Sequence, residues 1–167
     1  MGAPLACTAD IDSRDGSGSD DRQLPVCNER YQAEGDNANG PDVDFDDWSV
    51  RKDHEGYEGD SYMDAGGLDA WLRWDYMNFA PGKYTLSIRY ANGSGNTRPT
   101  MIRLNDDDET EFEMSFPPTG RWTHWQTVTK EIDARYGIRN LNIEVVTGRG
   151  GPNIDAIEVN AVEVNGC

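Results

Sequence analysis

The 167-residue chain carries few of the residue groupings that perform covalent chemistry. It has no GxSxG turn, no HExxH pair and no glycine-rich phosphate loop, and its two histidines, His54 and His124, have no nucleophile beside them. Paired carboxylates for glycoside hydrolysis need only stand about 5 to 9 Å apart, a condition set by the fold and not by spacing along the chain. The expected role is therefore not enzymatic. Cation binding has more to work with: 31 residues are Asp or Glu against 15 Lys or Arg, and a hard cation such as calcium takes roughly six to eight oxygen donors. The series Asp10, Asp12, Asp15-Gly16, Asp20 is spaced somewhat like an acidic calcium loop. Arg14 breaks the EF-hand register and no Glu closes it, so a solvated linker is the simpler reading. Cys7, Cys27 and Cys167 form no CxxC pattern and lie at the edges of the chain, which suggests a staple of its ends with one thiol left over.

The elements that must position such groups are strands. Tyr84, Leu86, Ile88 and Tyr90 alternate with Thr85, Ser87 and Arg89, the period of two expected of a half-buried strand. The same alternation recurs at Ile102 and Leu104, at Phe112, Met114 and Phe116, at Leu141, Ile143 and Val145, and around Val159. Turn signals separate these runs: Ala80-Pro81-Gly82, Asn92-Gly93, Asn105-Asp106, Pro117-Pro118-Thr119-Gly120 and Gly150-Gly151-Pro152. Asp69 to Phe79 fits a helical stripe loosely. Its aromatic content and the Pro-Gly that follows predict a strand instead, one arm of a hairpin with the run from Tyr84. The fold class is thus all-β, a two-sheet antiparallel sandwich or jelly roll. Residues 1–28, rich in Asp, Ser, Gly and Arg, read as a flexible acidic tail, and residues 29–167 as one domain. A net charge of -16 disfavours nucleic acid and anionic lipid as partners. No run approaches the roughly 20 apolar residues of a membrane span, and the start MGAPLACTAD has neither the basic region nor the apolar run of a secretion signal.

Four local patterns stand in a fixed order: Tyr31-Gln32-Ala33-Glu34, Gly56-Tyr57-Glu58-Gly59, Thr119-Gly120-Arg121-Trp122 and Gly151-Pro152-Asn153-Ile154-Asp155. With Gly82-Lys83-Tyr84-Thr85-Leu86, Arg89-Tyr90-Ala91-Asn92-Gly93 and Arg98-Pro99, this ordered set resembles the carbohydrate-binding modules of families 6 and 35, over about residues 29 to 160. The resemblance implies a jelly roll appended to polysaccharide-degrading enzymes such as glycoside hydrolases, with a structural calcium ion and a sugar site in loops at one end. It implies Tyr57 and Trp122 as the rings flanking a sugar and Asn153 as the amide that fixes it. It also implies Gln32, Glu34 and Asp155 as the calcium ligands, with Gln32 standing where members often have Glu. A pyranose has an apolar face that stacks on an aromatic ring and a rim of hydroxyls that needs donors and acceptors, which suits these residue types. Gln32 and Glu34, two apart, would leave the same face of one strand. Some family 35 members hold a uronic acid through a second calcium; the acidic stretch Asp42 to Asp47 precedes the Tyr57 loop, and Arg98 or Arg121 is the alternative partner for a sugar carboxylate.

The expected partner is a polysaccharide or oligosaccharide and the expected location extracellular or at the cell surface. The alternative is a self-assembling surface or appendage subunit on the same sandwich, binding copies of itself through the tail and the leftover cysteine. Cys27 before the first strand and Cys167 after the last would bridge if those strands are antiparallel neighbours; Cys7 with Cys27 is the rival pairing, and the sequence leaves both open. The sequon Asn92-Gly93-Ser94 falls in an expected turn, where it would accept a glycan in a suitable host.

Overall fold

A computed structural model describes residues 26–35, 41–165 and 167. The expected tail, Cys7 and the Asp10 to Asp20 series lie almost wholly or wholly outside them. Among the described residues, eleven strands form two antiparallel sheets. One has the order β3 (Trp48–Arg51), β4 (Tyr62–Ala65), β11 (Asn153–Val164), β6 (Gly82–Ala91), β9 (Gln126–Ala134), with β1 (Asn28–Gln32) also paired to β11. The other has the order β2 (Asp42–Asp46), β5 (Trp71–Asp75), β10 (Leu141–Val145), β7 (Arg98–Leu104), β8 (Phe112–Phe116). The described residues include no α-helix, only a 3-10 turn at Asp108–Thr110.

The alternation read from the sequence is what closes the sandwich. Tyr84, Leu86, Ile88 and Tyr90 on β6 are 0–1% exposed and share one core with Leu72 and Trp74 of β5, Ile102 and Leu104 of β7, and Leu141, Ile143 and Val145 of β10. Burying a side chain of this size stabilises a fold by about 1.5–3 kcal/mol, so the inward faces fix how the sheets stack.

Two details of this arrangement bear on function. Asp69 to Phe79 does contain a strand, β5, but it pairs with β2 and β10 rather than with β6, so the expected hairpin does not form. Trp74 and Tyr84 then enter the core from different sheets, which period-two alternation allows equally well. In addition, one edge of β11 changes neighbour along its length: Asn153 and Ile154 pair with β4, whereas Ala156 to Asn160 pair with β1. The change falls at Asp155, where the ladder to β6 also slips register, as a β-bulge does when it re-aims a side chain.

Candidate functional site

The bulge directs Asp155 into the gap between the end of β1 and the start of β4, where two loops converge. Ala33 N–H donates to the Asp155 carbonyl (2.9 Å), Ser61 N–H donates to Glu34 Oε1 (3.0 Å), and Glu58 N–H donates to both Asp155 carboxylate oxygens (3.1 Å each). Gln32 Oε1 and Glu34 Oε2 are buried and have no hydrogen-bond partner, an expensive state for oxygen acceptors. They line a cavity of about 560 Å³ with Val50, Lys52, Gly59 and Ser61. Gly59 has φ 75°, and a Cβ there would stand 3.1 Å from the Gln32 side chain, so the loop can approach this closely only as glycine. Burial pushes both the Glu34 and the Asp155 carboxyls above the usual carboxylate range.

The three residues expected to hold calcium are therefore brought together, and two of them present unpaired oxygens. Asp155 differs: it is 0% exposed, and its carboxylate also accepts from Arg89 Nη1. Among the described residues no set of three or more His, Cys, Asp or Glu side chains is grouped to hold a metal. The donors here are two carboxylates and an amide oxygen, with Arg89 already neutralising one carboxylate.

Arg89 links this gap to a second cluster. Its Nη2 donates to the Gly56 carbonyl (2.9 Å), and its guanidinium lies over the Trp125 ring at 5.5 Å. Trp125 Nε1–H in turn donates to the Glu55 carbonyl (3.0 Å), fastening the loop before β9 to the loop before β4. On the far side, Asn92 N–H donates to Thr119 Oγ1 (3.0 Å) and Thr119 N–H donates to the Asn92 carbonyl (2.8 Å). Gly93 lies against Trp122 so tightly that a Cβ would collide with its ring and backbone nitrogen. His124 is part of this framework, its Nδ1 at 2.9 Å from the Thr119 carbonyl.

The sequon has no role as a glycan acceptor. Asn92 is 0% exposed, and its amide donates to the Asn96 and Phe116 carbonyls. It is a fastener for the turn that carries Arg98.

The rings held this way form a file. Tyr57 tilts against Tyr62 (centroids 5.6 Å), Tyr62 stacks on His54 (5.6 Å, planes 8° apart), and His54 stands nearly parallel to Trp122 (6.3 Å, 13°). Tyr57 and Trp122, expected as the flanking pair, are both in the file, with Tyr62 and His54 between them. Arg98 lies over Trp122 at 5.0 Å, and its Nη1 donates to the Gly151 carbonyl (2.6 Å). Arg121 is exposed and joins no ion pair among the described residues.

Asn153 sits opposite Asp64 of β4. It is 1% exposed, and neither its Oδ1 nor its Nδ2 has a partner. Burial pushes the Asp64 carboxyl up, with Arg51, His54 and Arg98 among the charges that act on it. Asn153, Asp64, His54, Arg98 and Trp122 are thus one neighbourhood at the start of β11.

Sequence reasoning missed Tyr62, His54 and Asp64. His54 carried a signal only as a histidine in a loop rich in Gly, Glu and Tyr, and no pattern singled out Tyr62 or Asp64. Of the acidic stretch Asp42 to Asp47, Asp42–Asp46 form edge strand β2 of the other sheet, and no described contact joins the stretch to Tyr57, Trp122 or Asn153.

Residues 45–164 match the family described as carbohydrate binding module (family 6). Endo-1,4-beta-xylanase B of Cellvibrio japonicus is 32% identical over 114 residues, a stretch that spans 68% of this chain but only 19% of that enzyme. Among solved structures, a family 35 carbohydrate binding module from Clostridium thermocellum superposes with a TM-score of 0.69 at 26% identity, over 82% of this chain and all of that one. A second, Xyl-CBM35 in complex with a glucuronic acid containing disaccharide, gives 0.65 at 28% identity, over 85% of this chain and 99% of that one.

Proposed function

The chain belongs to the carbohydrate binding modules of family 6, and on that premise we propose that it holds a sugar chain at the Asn153 neighbourhood without cutting it. The observation that carries this is the Asn153 amide, which is buried with both polar atoms unpaired. A buried amide without partners costs about 1–3 kcal/mol, and sugar hydroxyls supply both the donor and the acceptor it lacks. Trp122 provides the apolar surface for a pyranose face, with His54 beside it. Because the amide is closed to a water-sized sphere, a sugar must enter with a rotamer change in the side chains above it, as is common at binding surfaces.

Arg98 places a guanidinium beside Trp122, and Asp64 an acceptor opposite Asn153. The similar module that holds a glucuronic acid containing disaccharide supports an acidic sugar as one ligand class, with Arg98 as the partner of its carboxylate in a chain of net charge -16. In this reading the module keeps an enzyme of the xylanase kind on its substrate outside the cell; the Cys27–Cys167 disulfide suits an oxidising compartment.

Calcium belongs to the same proposal. Gln32 Oε1 and Glu34 Oε2 would hold it, and Asp155 would join them if Arg89 releases one of its oxygens. A divalent cation there would supply the positive charge that the half-buried Glu34 carboxylate lacks and would stiffen the 55–61 loop that carries Tyr57.

The test is binding to neutral xylan, glucuronoxylan and polygalacturonate by wild type, Trp122→Ala and Asn153→Ala. We expect wild type to retain one or more of these, and each variant to weaken that binding by about tenfold or more at unchanged folding, which corresponds to 1.4 kcal/mol. Undiminished binding by Asn153→Ala would remove the basis of this reading.

A further inference from the structure

At the Leu141 end of β10, where it pairs with Trp74 and Leu104, three loops meet: residues 75–79 from the end of β5, 104–107 from the end of β7 and 135–140 after β9. They are locked to one another. Met77 N–H donates to the Arg139 carbonyl (2.8 Å), Phe79 and Ile138 exchange both backbone hydrogen bonds (3.1 and 3.2 Å), and the Asn105 side chain donates to the Gly137 carbonyl (2.8 Å) while accepting from Arg139 N–H (2.7 Å). Between these loops lies a groove of about 610 Å³, lined by Arg73, Asp75, Tyr76, Met77, Arg139 and Asn140 among others.

Tyr76 is the residue that the fold does not explain. It is 82% exposed and has φ 60°. The other described non-glycine residues in the left-handed region are Asp47, Asp69, Asn105 and Asp106, types that tolerate it through local hydrogen bonds. A Tyr there costs roughly 1–2 kcal/mol, and a ring left in solvent recovers none of that by burial. Strain of this sort, held on a rigid base, points to a use outside the fold.

The groove beside the ring has matching chemistry. Arg73 is fixed between Asp75 (2.7 Å) and Asp106 (2.8 Å). Asn140 Nδ2 donates to Asp106 (3.2 Å) while its Oδ1 has no partner. The Arg139 side chain is exposed and joins no ion pair among the described residues. An open aromatic face rimmed by guanidinium, amide and carboxylate groups, in a cleft of small-molecule size, is the arrangement a pyranose requires.

We propose that this groove is a second carbohydrate contact, in which a pyranose lies on Tyr76 and its polar rim is paired by Arg139, Asp75 and Asn140. It is separate from the Trp122 site: the groove lies at the Leu141 end of β10, whereas Gly151, two residues before Asn153, packs against Val145 at the other end of that strand. Two sites at opposite ends engage two stretches of polysaccharide, so the module bridges chains as well as binding one.

The test is amide chemical-shift mapping of the full chain with xylohexaose, cellohexaose and trigalacturonic acid as probes, in wild type, Trp122→Ala, Tyr76→Ala and Arg139→Ala. We expect at least one probe to produce saturable shifts at residues 75–79 and 136–140. These persist in Trp122→Ala, disappear in Tyr76→Ala and weaken in Arg139→Ala, with a well-dispersed spectrum confirming the fold of each. No shift in these loops with any probe overturns the proposal, and so do shifts that survive Tyr76→Ala. Residues 119–125 report on the first site in the same wild-type spectra, so loss of either reading is seen separately from loss of the other.

Discussion

Asp64 shows how a residue of β4 comes to stand in the neighbourhood proposed for a sugar, opposite Asn153. Its carboxyl is pushed up by burial despite Arg51 at 3.8 Å, so the folded state holds its proton more tightly than the unfolded chain does. Stability contributed by this group therefore falls as pH rises from its unfolded to its folded pKa, and the cost is at full size above the folded value. Asp64→Asn removes that cost. We expect the variant to melt higher than wild type at neutral pH and almost equally at a pH below both values. With the side chain 42% exposed, solvent screening keeps the gain under about 1 kcal/mol, a few degrees at most. Thermal melts of both proteins at the two pH values check this; an equal gap at both would contradict the burial argument. The same site explains why Tyr62 was illegible in the sequence. It is 1% exposed, with its hydroxyl donating to Asp53 (2.8 Å), and so looks like a core tyrosine until His54 is seen stacked on it.

At the scale of elements, β11 organises the module. Its first residues build the neighbourhood proposed for a sugar, its bulge builds the gap proposed for calcium, and its end is tied back through Cys167 to Cys27, whose Cα atoms are 5.8 Å apart across a separation of 140 residues. The antiparallel pairing of β1 with β11 that the sequence posed as a condition for this bridge is present. In the chain-entropy estimate, closing so long a loop is worth about 5 kcal/mol. Replacing both residues in Cys27→Ser/Cys167→Ser should lower Tm by roughly 10 °C or more. Because the bridge lies beyond the opposite end of β11 from Asn153, sugar retention at room temperature should change little. A melt indistinguishable from wild type would show that the β1–β11 ladder holds without it.

At the scale of the whole molecule, the gap around Asp155 and the ring file are one unit, joined by Arg89 and the loop from Glu55 to Ser61. Calcium should therefore act on both stability and sugar retention. At a concentration 100-fold above its Kd, a bound ion adds about 2.7 kcal/mol, which raises Tm by roughly 5–10 °C, and chelator should reverse the gain and weaken binding. Glu34→Gln should blunt both responses; melts and retention unmoved by calcium would remove the ion from the proposal. The sequence by itself determined the all-β sandwich, because period-two burial is a local property written in each strand. Through the family they resemble, its ordered motifs also pointed to Gln32, Glu34, Asp155, Tyr57, Trp122 and Asn153 as candidates. Only the tertiary structure decided which sheet β5 joins, that Asn92 is buried, that Arg89 shares Asp155, and that Tyr62, His54 and Asp64 stand among the expected residues. Those facts depend on which strands become neighbours and how loops far apart in sequence pack. Alternation fixes which face of a strand turns inward, but leaves open what that strand will lie beside.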